Sequence, residues 1–217
     1  MGMSTISKYD LDKFDPETTG LVVVDLQNAF VAPDGSMARR GFDVTRTAEI
    51  VPRCVELADF VRERGCPVFF TRLLRRPDGR DAPRNIFRIY PSSYDDYGDT
   101  LCLDGSSGAE YADEVTIHPA DYEVTKRNQD AFHGTSLDYY LRGEGIETVL
   151  VCGVTTNVCV ESTIRGAHER GFDVVMVEDC CGTDDETAHE STVRNVEYIF
   201  GATATAAEIR ALLPESS

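Results

Sequence analysis

The stretch ETVLVCGVTTNVCVESTIRGAHERGFDVVMVED, residues 147–179, decides the fold. It opens on ETVLVCG (147–153), an almost unbroken apolar run of strand length, and closes on another, FDVVMVED (172–179). Between them TNVCVESTIRGAHERG mixes apolar and charged residues at helical spacing and stops at a glycine. Strand, helix and strand within about thirty residues make a βαβ unit. Strands that lack polar alternation are buried on both faces, as in parallel sheets covered by helices.

The same rhythm extends in both directions. GLVVVDLQ (20–27), CPVFFTR (66–72) and DYEVTK (121–126) read as further strands, and a last short one falls around Ala202 to Thr205. Residues 45–64 place Ile50, Cys54, Leu57, Ala58 and Val61 on one face of a single helix, which Gly65 closes in a left-handed conformation. SLDYYLRGEG, DETAHESTVRNVEYI and a terminal segment to Leu213 supply the remaining helices. The expectation is an α/β fold: one domain, 1–217, built as a three-layer α/β/α sandwich around a mostly parallel six-stranded sheet. Residues 73–119 break the pattern with crowded Pro, Gly, Tyr, Arg and Asp, and a loop of that length predicts a pocket wall or an oligomer contact.

Composition narrows the function. The 217 residues are 41% hydrophobic and 27% charged, with 38 acidic against 21 basic side chains and a net charge of −17. Phosphate backbones and anionic lipid surfaces are repelled by such a surface, so neither nucleic acid nor membrane is expected as a partner. Dense carboxylates suit a salt-rich cytoplasm and an ordinary acidic enzyme equally, and refolding at low salt separates the two. No apolar run reaches the roughly 20 residues of a membrane-spanning helix. MGMSTISKYDLDKFD has neither the basic start nor the apolar stretch of a signal peptide, so the expected location is cytoplasmic. Seven cysteines without a CxxC spacing read as reduced thiols, most of them small buried hydrophobes.

Ligands of open parallel sheets bind beyond the carboxyl ends of the strands, and three pointed residues fall there. Asp25 closes LVVVD, Lys126 closes YEVTK, and Cys159 follows TVLVCG by six residues. Thr155 or Thr156 can cap a new helix and leave the Cys159 thiol in its first turn, where the helix dipole favours a thiolate. Singly, each residue has a structural reading: a turn-capping carboxylate, a snorkelling cation, a buried thiol. Jointly they form a base, an electrostatic stabiliser and a nucleophile. There is no GxGxxG and no GxxxxGK[ST] to cradle a phosphate, and His118, His133, His168 and His189 are scattered, so neither a cofactor nor a metal is expected. The adjacent Cys180 and Cys181 read as packing or turn residues.

VVVDLQNAF (22–30), KRNQDAFHGTSLDYYLR (126–142) and GVTTNVCVESTIRGAHERGFDVVMVEDCC (153–181) resemble the isochorismatase-like cysteine hydrolases, over roughly residues 18–205. That superfamily includes nicotinamidases, N-carbamoylsarcosine amidases, ureidoacrylate amidohydrolases and biuret or triuret hydrolases. The resemblance implies a Rossmann-like fold and a catalytic triad of Asp25, Lys126 and Cys159. It further implies a cis peptide between Val154 and Thr155, an oxyanion hole from the backbone N–H groups of Thr155 and Cys159, and a thioester acyl-enzyme. Isochorismatases proper lack the cysteine, so Cys159 points to C–N hydrolysis. Metal-dependent nicotinamidases carry an Asp and paired histidines where this chain has TRLLRRPDGRDAPRN, and the SAF of carbamoyl-type amidases is DAF here, with Asp130.

The implied substrate is a small amide, ureido or N-carbamoyl compound, bound by Gln27, Phe30, Phe132, Val154 and Thr155. Arg72, Arg75, Arg76, Arg80, Arg84 and Arg88 concentrate in the long loop and could fork a carboxylate, although surface pairing with acids such as Asp78 and Asp81 explains most of them equally well. Two alternatives stand beside this reading: a metal-free nicotinamidase-like amidase, and a thiol protein of the same fold without hydrolytic turnover. A homo-oligomer, dimer or tetramer, is expected.

Overall fold

The computed structural model describes residues 14–81 and 102–213. Six strands, β1 (Thr19–Val24), β2 (Val68–Leu73), β3 (Tyr122–Lys126), β4 (Thr148–Val154), β5 (Asp173–Gly182) and β6 (Ala202–Ala204), form one sheet in the order β3-β2-β1-β4-β5-β6. Every neighbouring pair is parallel. The helices are α1 (Asn28–Val31), α2 (Ser36–Arg39), α3 (Thr45–Glu49), α4 (Val51–Glu63), α5 (Leu137–Gly143), α6 (Glu161–His168), α7 (Glu186–Asn195) and α8 (Ala206–Leu212).

The central strands β1 and β4 are buried along their whole length, as their unbroken apolar sequences require. The edge strand β3 alternates, and the pleat that buries Val124 also buries Lys126 two residues on while Glu123 and Thr125 face solvent. From β1 the chain crosses to β2 on one side; from β3 it returns past β1 to β4 and continues outward to β6. Right-handed crossovers in opposite directions put helices on opposite faces and leave the reversal of strand order between β1 and β4. That reversal is where an open sheet offers a crevice.

Three local features depart from expectation. The helix expected over 45–64 is two, separated at Ile50, because Pro52 lacks the N–H that would bond back to Ala48. β5 runs on through Cys180 and Cys181 to Gly182, with a register jump between the pairs Val151↔Met176 and Gly153↔Cys181, so both cysteines are strand residues. Thr156–Val160 and Val196–Phe200 are wide π turns, the first preceding α6 and the second following α7. All seven cysteines are free and buried.

Of the long unpatterned loop, residues 73–81 and 102–119 are described, and 82–101, with Arg84 and Arg88, lie outside the described residues. Bridges Arg75↔Leu103 and Gln27↔Tyr111 fold residues 102–112 over the carboxyl ends of β1 and β2. Among the described residues no helix is long and apolar enough to cross a membrane.

Candidate active site

Asp25 follows the last residue of β1 with a backbone φ of 50°, in the left-handed region that Asp tolerates better than most residues. Its neighbour across the switch point is Gly153 of β4, at φ 118°, where a Cβ would lie 2.1 Å from the Val24 carbonyl oxygen. Only glycine allows that approach, which brings the segment leading to Cys159 against the turn that carries Asp25. The following peptide, Val154–Thr155, is cis.

Lys126 reaches in from β3, past the end of β2. Its Nζ lies 2.7 Å from Asp25 Oδ2, and both side chains are 0% exposed. A buried ion pair offsets its desolvation only when the remaining hydrogen-bonding capacity is met. Here Thr71 of β2 donates to Asp25 Oδ1 at 2.7 Å and receives the Asp25 backbone N–H at 3.2 Å. The Lys126 ammonium donates to the carbonyls of Asn128 at 3.0 Å and Gln129 at 3.1 Å. Burial works to strip the Lys126 proton, but the Asp25 carboxylate and then the Cys159 thiol outweigh it and hold the ammonium above its ordinary value.

Cys159, 7% exposed, is buried close enough to Asp25 and Lys126 for both to act on its thiol. Burial pushes its thiol up to about 12; Lys126 opposes the rise and Asp25 adds to it. Burial thus works against the thiolate expected from a helix N-terminus. Two physical reasons account for this: desolvation exceeds the pull of the cation, and the residue sits in a π turn whose cap, Thr155, makes no side-chain cap bond. The Cys159 carbonyl is held by the Thr163 hydroxyl at 2.7 Å, which in turn accepts the Ala131 N–H at 3.1 Å and so ties the turn to the loop after β3.

The other expected site residues divide. Val154 is wholly buried and Thr155 half-buried, both adjoining the turn. Gln27, 0% exposed, is a clamp: its amide donates to the carbonyls of Leu73 at 2.8 Å and Ala109 at 2.9 Å and accepts the Leu73 N–H at 2.8 Å. Those bonds use both amide N–H groups and one of the two carbonyl lone pairs, so the side chain shapes the site and keeps one acceptor position. Phe30 is buried in α1. Phe132 packs tilted against Phe172, at the amino end of β5, and beneath the guanidinium of Arg170, so its ring is engaged with the turn before β5. Asp130 bonds the Phe132 N–H at 2.8 Å and packs against Gly166 of α6.

Three of the candidate arginines are paired with acids: Arg72, in β2, with Glu123 at 3.2 Å, and Arg76 and Arg80 with the same Asp78 at 3.0 and 3.9 Å. Surface pairing accounts for them. Two residues beside the site were not among those expected. Thr71 is a lone hydroxyl in an apolar strand, a weak signal that could have been read. Cys102 carried none; it is buried at φ 61°, and burial, then Asp25 and Cys159 nearby, push its thiol well above the ordinary value. A separate cleft of ≈ 470 Å³ opens between α1, α2 and residues 107–114, and Asp25, Lys126 and Cys159 are not among its walls. Among the described residues no group of three His, Cys, Asp or Glu is gathered as a metal site.

Residues 19–208 match the isochorismatase domain family, and the chain belongs to that family. It is 32% identical over 200 residues to ureidoacrylate amidohydrolase RutB of Methylobacterium radiotolerans, covering 86% of this chain and 76% of that protein. Among solved structures it is similar to a cysteine hydrolase from Pseudomonas syringae pv. phaseolicola, with TM-score 0.80, 27% identity and coverage of 93% and 94% of the two chains. It is also similar to N-carbamoylsarcosine amidase from Thermoplasma acidophilum, with TM-score 0.68, 25% identity and coverage of 87% and 96%.

Proposed function

We propose that the chain is a cytoplasmic, cofactor-free cysteine hydrolase that cleaves a C–N bond of a small amide, ureido or N-carbamoyl compound. The chain is a family amidohydrolase, acting on C–N bonds other than peptide bonds. The observation that carries the cysteine mechanism is the convergence of a thiol, a carboxylate and an ammonium, all buried, at the switch point of the sheet. A thiol with so high a pKa attacks only as it loses its proton, and Asp25 stands within reach to take it. Cys159 Sγ bonds to the substrate carbonyl carbon, and the oxygen charge that develops is received by the backbone N–H groups of Thr155 and Cys159. Asp25 then returns the proton to the departing nitrogen, the C–N bond breaks, and a thioester remains. Water, deprotonated by Asp25, cleaves the thioester and restores the thiol. Lys126 stays protonated throughout and offsets the negative charge that passes between Asp25 and Cys159.

The burial of all three groups restricts the substrate to a small molecule. The test is ammonia release from ureidoacrylate, N-carbamoyl amino acids, biuret, triuret and nicotinamide by wild type and Cys159→Ala. Release by the wild type alone is expected; equal release by Cys159→Ala overturns the reading. We also propose a homo-oligomer, dimer or tetramer, which sedimentation velocity reads directly.

A further inference from the structure

The turn that carries Cys159 is held from outside. Thr156–Val160 is a π turn, closed by a bond from Val160 N–H to the Thr155 carbonyl at 3.2 Å. A π turn is wider than the α turn that follows and lacks its tight backbone register, so its shape depends on neighbours. Besides Thr163, which holds the Cys159 carbonyl, and Thr183, which donates to Asn157 Oδ1 at 2.9 Å, the turn has α7 as a neighbour, whose N-cap Asp185 accepts the N–H groups of Thr187 at 2.8 Å and Ala188 at 3.2 Å. His189, Thr192 and Asn195 recur every three residues and share one face of that helix. Thr192 donates to Glu161 at 2.8 Å and Asn195 donates to the same carboxylate at 3.3 Å; Glu161 opens α6, beyond the turn. His189 alone of the three reaches the turn itself: its Nδ1 lies 3.0 Å from the hydroxyl of Thr156, a residue that is 0% exposed and three positions before the thiol. Burial and then the nearby Arg46 lower the His189 pKa, which keeps the ring neutral. Arg46 is itself paired with Glu186 of α7.

We propose that His189 is a positioning residue for the nucleophile: through the Thr156 hydroxyl it fixes the π turn that aims Cys159 at Asp25 and Lys126. This rests on the reading of Cys159 as the nucleophile. Small misplacements of a reacting group are costly, so loss of the tie acts on turnover more than on binding.

The experiment compares kcat, KM and melting temperature of the full chain for His189→Ala, His189→Asn, Thr156→Val, the His189→Ala/Thr156→Val double variant, and Thr192→Val. The substrate is whichever compound the panel identifies, and iodoacetamide alkylation of Cys159 serves as a substrate-independent readout. His189→Ala should lower kcat about 10- to 100-fold with KM nearly unchanged. Asn places an amide where Nδ1 was and should restore most of the loss. Thr156→Val should match His189→Ala, and the double variant should lose no more than either single one, as coupled residues do. Thr192→Val should lower the melting temperature but leave kcat alone. A His189→Ala enzyme with wild-type kcat, losses that multiply in the double variant, or an equal kcat loss in Thr192→Val would each overturn the proposal. Should His189→Ala not fold, Thr156→Val and His189→Asn decide on the same criteria. A Cys159→Ala protein that still turns over substrate would instead remove the underlying reading, so the two failures are distinct.

Discussion

Two ion pairs of nearly equal length sit at opposite extremes of this molecule. Lys126 and Asp25 lie 2.7 Å apart with both side chains 0% exposed; Arg76 and Asp78 lie 3.0 Å apart with side chains 60% and 40% exposed. Water and salt screen the second pair, and it decorates a loop. The first is cut off from water, held by Thr71 and two backbone carbonyls, and set against a thiol. Distance alone does not separate a structural contact from a chemical one; the solvent around it does.

The comparison can be broken at several strengths. Cys159→Ala should have the largest effect, a fall in turnover of about 10⁴-fold or more, as removal of a nucleophile causes in other triads; initial-rate ammonia release measures it. Lys126→Met leaves a buried carboxylate without its cation and should cost about 3–5 kcal/mol in denaturant unfolding. A Lys126→Met protein as stable as wild type would erase the distinction between the two pairs. Thr71→Val removes one hydrogen bond to the Asp25 carboxylate and should cost about 1.5–3 kcal/mol, with turnover reduced but not abolished.

Smaller effects sharpen the point. Burial pushes Cys66 up to about 12 and Cys159 up to about 12, whereas an unfolded thiol titrates near about 8.5. Above that value the native state holds protons that the unfolded chain has released. Stability from these thiols is therefore complete at lower pH and is lost as the pH climbs toward 12. The melting temperature should fall between about pH 8.5 and 10.5, and less steeply in Cys66→Ala. Arg76→Gln, at the exposed pair, should leave the melting temperature unmoved at any salt concentration.

Much of the fold was legible because apolar runs of strand length mark a parallel sheet directly. The ends of those runs then exposed Asp25, Lys126 and Cys159, which the structure brings together. Even the burial of Lys126 follows from strand periodicity, once Val124 is placed inward. The break at Ile50 was also readable from Pro52, but the apolar stripe that continues across it masked the signal. What stayed hidden depends on residues far apart in sequence. The π turn has no local signature, since its side chains bond to His189 and Thr183, far along the chain. The fate of Gln27 and Phe132 was set by Leu73, Ala109, Phe172 and Arg170, partners that no spacing rule connects to them. The upward push on the Cys159 thiol was hidden for the same reason: helix position is local, and desolvation is not.

The central claim is that Asp25 raises the resting pKa of Cys159 while serving as the proton carrier of the reaction. Asp25→Asn separates these roles, with ammonia release and the iodoacetamide alkylation rate of Cys159 measured side by side at pH 8. The account predicts that turnover collapses while alkylation accelerates, because Lys126 then acts on the thiol without an opposing carboxylate. Turnover that survives, or alkylation that slows along with it, would contradict the account.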